Sequence, residues 1–332
     1  MRLPLCMMDR RRERMPNVNT SHGLLMALGL AAGVLAGCAT TATTQSSDCY
    51  PQIFLDSRYA IQGTSRESTA ALADSSCYHF VYQDGRMTRV DYRRGGRLSP
   101  DPTSGVATIR IEHPDGVEKR VFLDAGGGPI ANQDGAYAVA LKYDDKGNPI
   151  EWRNLGADDR LKEAKDSGLA IFGWRYDRQG QPIEEKHFGA NEQLKADRRL
   201  GVAIVRWQYD PDGNTVEESY FGADGRPTSD RLRGVAAVRW QYGSNGRTVE
   251  ESYLGSDGRL SEDKNRGVAI VRWQYDANRN TVEERYLGTD QRLKTDRRLG
   301  AAIIRWQYDR YGREIGTLML DPNEVPVRTP KR

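Results

Sequence analysis

Four adjacent glutamate pairs, Glu184/Glu185, Glu217/Glu218, Glu250/Glu251 and Glu283/Glu284, come closest to catalytic chemistry in this 332-residue chain. Two carboxylates facing one substrate can serve as acid and base, or as acid and nucleophile. Each pair here lies in a segment rich in β-branched and aromatic residues, and successive strand residues point to opposite faces. The two members therefore cannot share a substrate, and a motif repeated in four places marks no unique centre. The turn acids Asp210 and Asp212 lack the dense acid–glycine pattern of calcium-binding repeats. His79, His113 and His187 are not spaced as metal ligands. No nucleophile motif and no phosphate-binding glycine loop appears. The residues point away from an enzyme and call for no metal or cofactor.

Aromatic residues offer a second chemistry. Trp174, Trp207, Trp240, Trp273 and Trp306 recur every 33 residues. Indoles at regular spacing suit stacking on successive sugar rings. They equally suit a repeat core, in which one large residue per unit packs on the next. Trp207 is placed on one face with Val205, Tyr209 and Phe221, which favours the core for all five tryptophans.

The elements that position these residues are themselves repeated. Units open at Gly135, Gly168, Gly201, Gly234, Gly267 and Gly300, every step being 33 residues. Residues 198–210 and 297–309 are nearly identical, which favours a stacked scaffold over a specialised site. Within a unit, residues 203–209 have strand composition, and Asp210-Pro211-Asp212-Gly213-Asn214 specifies a type I turn closed by a glycine bulge. Residues 215–221 form the second strand, and a polar connector of about ten residues leads to the next unit. The fold class predicted is all-β, a tandem β-hairpin array (solenoid-like or an extended sheet) with 33 residues per repeat.

Turn geometry also sets an expected register. With Asp210 opposite Asn214, Trp207 faces Glu217, Arg206 faces Glu218 and Ile204 faces Tyr220. The face opposite the tryptophans is then mixed, and it is the candidate binding surface: Arg206, Glu218 and Tyr220, with Arg239, Glu251 and Tyr253, and Arg272, Glu284 and Tyr286. The phrase Tyr-Asp-x-x-Gly, as at Tyr143, Tyr176, Tyr209 and Tyr308, resembles the YD-type repeats of bacterial RHS-like surface and toxin-shell proteins. That resemblance covers residues 135–313 and implies β-hairpins. The period is longer than usual in that family, so shell closure and toxin encapsulation do not carry over.

The N-terminal segment carries an address. Arg10, Arg11, Arg12 and Arg14 precede a 14-residue apolar run over residues 23–36, too short to span a bilayer as a helix but suited to a secretory signal. It ends in Leu35-Ala36-Gly37-Cys38, which resembles the lipobox of bacterial lipoproteins. The resemblance implies cleavage before Cys38, acylation of Cys38, and no cofactor beyond that lipid. Ala39 in place of an aspartate implies outer-membrane sorting. Met15 is an alternative start.

Residues 1–37 hold five of the 49 basic and two of the 46 acidic residues, leaving 44 of each in the mature chain. A chain without net charge has no global field to gather nucleic acid. Nucleic acid is not an expected partner. In an oxidising compartment the two remaining thiols, Cys49 and Cys77, are predicted to form a disulfide.

The organisation expected is a signal peptide (1–37), a lipidated flexible tether (38–47) and an N-terminal cap (48–76). Two divergent repeats follow (77–134), then six 33-residue repeats (135–320) with the last one capping, and a C-terminal tail (321–332). The functional expectation is a non-catalytic, envelope-anchored lipoprotein whose surface binds a protein partner. A polysaccharide- or peptidoglycan-binding module, or an immunity lipoprotein that blocks a toxin, is the alternative.

Overall fold

The computed structural model describes residues 44–64 and 76–327. The signal segment, Cys38, the start of the tether, part of the cap and the end of the tail lie outside these residues.

Hairpins follow one another along the chain. β1 (Thr44–Tyr50) pairs with β4 (Ser76–Gln83), which forms a hairpin with β5 (Arg86–Arg94). The short β6 (Arg97–Leu98) folds back antiparallel on the end of β5, and β7 (Thr108–Glu112) with β8 (Glu118–Leu123) continues the ladder. Next come β9 (Ala138–Tyr143) with β10 (Pro149–Leu155), β11 (Ile171–Tyr176) with β12 (Pro182–Phe188), and β13 (Ile204–Tyr209) with β14 (Thr215–Phe221). The ladder ends with β15 (Ala237–Tyr242) and β16 (Thr248–Leu254), β17 (Ile270–Tyr275) and β18 (Thr281–Leu287), and β19 (Ile303–Tyr308) and β20 (Glu314–Leu320). Together they make an 18-stranded antiparallel sheet, the tandem hairpin array that the period predicts. β2 (Ile53–Leu55) and β3 (Ile61–Gly63) form a separate two-stranded sheet. Residues 44–46, expected in the tether, instead pair with residues 81–83. Cys49 and Cys77 are joined by the expected disulfide, their Cα atoms 5.5 Å apart.

The Tyr-Asp phrase does two things. Asp210 N–H donates to the Asn214 carbonyl at 2.9 Å and Gly213 N–H to the Asp210 carbonyl at 3.0 Å, closing the turn. Gly213 sits at φ 81°, where a side chain would be strained. The Asp210 carboxylate accepts the N–H groups of Asp212 and Asn214 at 3.0 and 2.8 Å. Tyr209 points elsewhere: its hydroxyl donates to the Pro182 carbonyl of the preceding hairpin at 2.7 Å. Tyr176, Tyr242, Tyr275 and Tyr308 make the same backward tie at 2.7–3.0 Å. Burial pushes the Tyr209 hydroxyl up to about 12, so it stays protonated and donates.

Beyond the turn the register departs from expectation. Tyr209 faces Thr215 but Gln208 faces Glu217, so Val216 is an extra residue in the second strand. Ile183, Val249, Val282 and Ile315 occupy the same position in other repeats. Trp207 consequently faces Glu218, Arg206 faces Ser219 and Ile204 faces Phe221. A one-residue slip sends every side chain of the second strand to the other face.

The connector is an ordered loop rather than a merely polar link. Asp230 N–H donates to the Val235 carbonyl at 2.9 Å, and the Asp230 carboxylate accepts the N–H groups of Leu232 and Arg233 at 2.6 and 2.7 Å. Asp197, Asp263 and Asp296 hold their loops in the same way. Each loop leans on the one before it: Arg231 N–H donates to the Leu200 carbonyl at 2.7 Å. Val202, Val235, Val268 and Ala301, which follow these loops, are fully buried and fill the inner face with Val205, Val238, Val271 and Ile304. In the N-terminal half the core contains Phe80, Val90, Phe122, Leu141 and Trp152, and Tyr59 from beside β3 packs on Trp152 and Trp174.

Candidate functional site

The sheet has a packed inner face and an outer one that is exposed at Arg206 and Gln208 but buried farther from the turn, at Ile204, Ile270 and Leu287, and the extra residue decides which side chains go where. Val205, Trp207 and Tyr220 belong to the inner face. Trp207 and Trp240 are buried in the core, and Trp273 and Trp306 are half-buried against it. Trp174 is half-buried against the N-terminal core.

The slip splits the candidate binding surface. Tyr220, Tyr253 and Tyr286 are at most 2% exposed, and Glu218 and Glu251 are buried with them, which corrects the expectation that these residues face a partner. Glu284 is also turned inward, where burial raises its carboxyl above the ordinary range. Only Arg206, Arg239 and Arg272 remain on the outer face.

Inside, the displaced carboxylates are matched one by one. Glu185 accepts from Trp174 Nε1 at 2.8 Å and lies 2.7 Å from His187 Nε2, whose Nδ1 is 3.0 Å from the Val202 carbonyl. Burial opposes charge on His187, but the Glu185 carboxylate outweighs it and holds the imidazole pKa above its ordinary value. Glu251 is 3.6 Å from Arg233 and Glu284 is 3.7 Å from Arg266, which also pairs with Asp296 at 2.5 Å. The donor or cation beside each of these carboxylates offsets part of the cost of its burial.

Outside, the arginines find different acids from those expected. Arg206 donates to Glu184 at 2.8 Å, Arg239 to Glu217 at 2.6 Å, Arg272 to Glu250 at 2.7 Å and Arg305 to Glu283 at 2.6 Å. Every pair crosses the seam between hairpins instead of lying within one. Burial alone would raise the Glu184 carboxyl, but Arg206 and Lys186 hold it below the usual carboxylate range. The Arg206 guanidinium also lies 4.4 Å over the Phe221 ring. Gln208, Gln241, Gln274 and Gln307 are exposed and belong to the same outer face. The result is a line of fixed charges and amides running across successive hairpins. Glu217, Glu250 and Glu283 were missed as partners of these arginines, although a Glu-to-Arg spacing of 22 residues recurs from Glu184 to Arg305; Glu184 and Glu283 are themselves buried beneath the arginines.

A cavity of about 390 Å³ lies near the N-terminal end, lined among others by Tyr78, Tyr92, Asp101 and Asn132. Its one acid is occupied: Asp101 accepts from Tyr78 at 2.5 Å, from Ser104 Oγ at 2.7 Å and from two backbone N–H groups. That is the loop-holding role of Asp197 and Asp230 again. Among the described residues no group of metal-ligating side chains is assembled.

No protein-family model matches the chain, and no curated protein matches it. Among solved structures, a TcdB2–TccC3–Cdc42 complex and a TcdB2–TccC3–TEV complex align over 84% of this chain at 10% identity, each with a TM-score of 0.27. The chain spans 15% of the length of those chains. An alternansucrase bound to isomaltononaose aligns over 66% of this chain at 14% identity, with a TM-score of 0.15.

Proposed function

We propose that this chain is a non-catalytic lipoprotein of the bacterial envelope, held in the outer membrane by acyl chains on Cys38, and that its outer face binds a protein partner. The observation that carries the reading is the seam-crossing line from Glu184–Arg206 to Glu283–Arg305. Charges fixed at a repeated spacing on a rigid sheet favour recognition of a complementary surface, with specificity drawn from register. Absence of a catalytic constellation in the sequence supports a binding role over an enzymatic one. Two or three acyl chains give durable attachment, since each buried methylene contributes about 0.8 kcal/mol.

Two measurements test this function. Mass spectrometry of the membrane fraction should find Cys38 acylated and residues 1–37 absent, and an unmodified Cys38 contradicts the anchor. The full-length protein carrying Arg206→Glu, Arg239→Glu and Arg272→Glu should lose the protein that co-purifies with wild type in detergent, while it remains folded, with the strand content of wild type by circular dichroism. Retention of the partner by the triple variant rejects the outer face.

A further inference from the structure

A second surface lies along the connector loops, away from the Arg–Glu seams. At equivalent positions stand Lys165, Arg198, Arg231, Lys264 and Arg297, all exposed. Arg198 Nη1 donates to the Lys165 carbonyl at 2.9 Å, Arg231 Nη1 to the Arg198 carbonyl at 2.7 Å, and Arg297 Nη1 to the Lys264 carbonyl at 3.4 Å. Lys264 Nζ donates to the Arg231 carbonyl. Every cation thus lies on the loop before its own, and the ridge is one continuous ladder.

Its geometry is built into the backbone. Gly201 has φ 76°, and a Cβ there would lie 2.8 Å from Arg231 Cγ. At Gly168 the same added atom would lie 2.6 Å from Arg198 Nε. The opening glycines from Gly135 to Gly267 therefore leave a track for the stem of the next basic side chain. Ordering these side chains in the free protein removes part of the entropic cost of binding.

The backbone contact does not by itself require a charge. Gln133 donates to the Thr103 carbonyl at 2.5 Å, and Asn265 to the Leu232 carbonyl at 2.7 Å, both with neutral amides. Yet five consecutive loops carry Lys or Arg, and Arg199 and Arg298 add two exposed cations beside the ladder. The acids of these loops do not cancel them outward: Asp197, Asp230, Asp263 and Asp296 are between 0% and 4% exposed, each accepts backbone N–H groups of its own loop, and Asp296 also pairs inward with Arg266. Asp166, beside Lys165, is the exception, and Glu163 near Arg198 is taken by Lys195 at 2.6 Å. The guanidinium groups keep most of their donors for a ligand.

Spacing selects the ligand. Successive rungs are two strands apart, about 10 Å, so the ladder presents one fixed cation per 10 Å or so over roughly 40 Å. Duplex DNA carries a charge every ~1.7 Å and would leave most of its phosphates unmatched. A linear glycan with one carboxylate on every second sugar matches the rung spacing. We infer that the ridge from Lys165 to Arg297 binds an extended acidic polysaccharide, with each rung holding one carboxylate by a charge-assisted hydrogen bond.

Hyaluronan oligosaccharides, which carry one carboxylate per disaccharide, are the probe. Dextran is the neutral control and duplex DNA the dense polyanion, and affinity is measured by calorimetry on the full-length protein in detergent. Wild type should bind hyaluronan in a salt-sensitive way and not bind dextran. Arg198→Gln, Arg231→Gln, Lys264→Gln and Arg297→Gln keep an amide donor on each rung, and each should weaken binding by about fivefold, the upper scale of an exposed charge pair. Arg199→Gln with Arg298→Gln, which breaks no rung, should weaken binding too and covers the case in which a rung variant fails to fold. Equal binding of dextran, binding of DNA in place of hyaluronan, or unchanged affinity in the folded Gln variants overturns the inference. The triple Glu variant of the outer face leaves the ladder intact, so loss of the protein partner and loss of the glycan are separable results.

Discussion

Arg239 and Glu217 meet at 2.6 Å across the seam between two hairpins, and their Cα atoms are register partners. With 53% of the arginine side chain and 17% of the glutamate side chain exposed, the pair is open to water on the arginine side and contributes little to folding. Replacing both with alanine should change the unfolding free energy by less than about 1 kcal/mol. Trp240, on the next strand position but facing inward, is different. Trp240→Ala should cost about 3–5 kcal/mol and should loosen neighbouring repeats as well. Urea denaturation of the two variants checks the assignment of faces. Equal losses would mean that inner and outer faces have been confused.

The loop aspartates make a separate prediction. Asp230→Ala leaves the N–H groups of Leu232 and Arg233 without their acceptor in a loop whose carboxylate is 2% exposed. The cost should be about 1–3 kcal/mol, and amide exchange should quicken at Arg233 and at the neighbouring loop. Exchange confined to the exposed Asp224 turn would not fit.

Among the turns that follow the Tyr-Asp phrase, one is strained. Arg279 takes the place that glycine fills in the other turns and has φ 70°. A side chain in that conformation costs about 1–2 kcal/mol, offset in part by the bond from Arg279 Nη2 to the Asn245 carbonyl at 2.6 Å. Arg279→Gly should raise stability by about 0.5–1 kcal/mol. A lower melting temperature would show that the side-chain bond outweighs the strain.

His187 gives the array a pH dependence. Its pKa is raised in the fold because the Glu185 carboxylate outweighs the burial that would lower it. The stabilising charge is therefore complete below the unfolded value of about 6.5 and is lost as pH rises through the folded value. Tyr220, Tyr253 and Tyr286 fill the same position in later repeats, so His187→Tyr should be tolerated. The melting temperature of wild type should fall relative to this variant as pH rises above about 6.5. Parallel curves from acid to alkaline pH would contradict the charged pair.

Period, turn chemistry and disulfide were legible because each rests on local residue types: the 33-residue spacing, Asp210 with Gly213, and Cys49 with Cys77. The faces were not. Glu217 and Glu218 are chemically identical neighbours, and the insertion of Val216 opposite Gln208 and Tyr209 leaves no mark in the residue types on either side of it. Tyr220 and Phe221 gave no help, being apolar residues bound for opposite faces. The loop holder left a trace that was passed over: Asp197, Asp230, Asp263 and Asp296 each precede a repeat glycine by four residues.

The outer face is tested most directly by photocrosslinking in living cells. A photoreactive residue placed at Gln241, exposed beside Arg239 on the outer face, should trap a discrete protein, and the band should vanish when Arg239→Glu is added. The same residue placed at the exposed Arg226, in the far turn of the repeat, should trap none. Crosslinking from Arg226 but not from Gln241, or a Gln241 band indifferent to Arg239→Glu, would contradict the account.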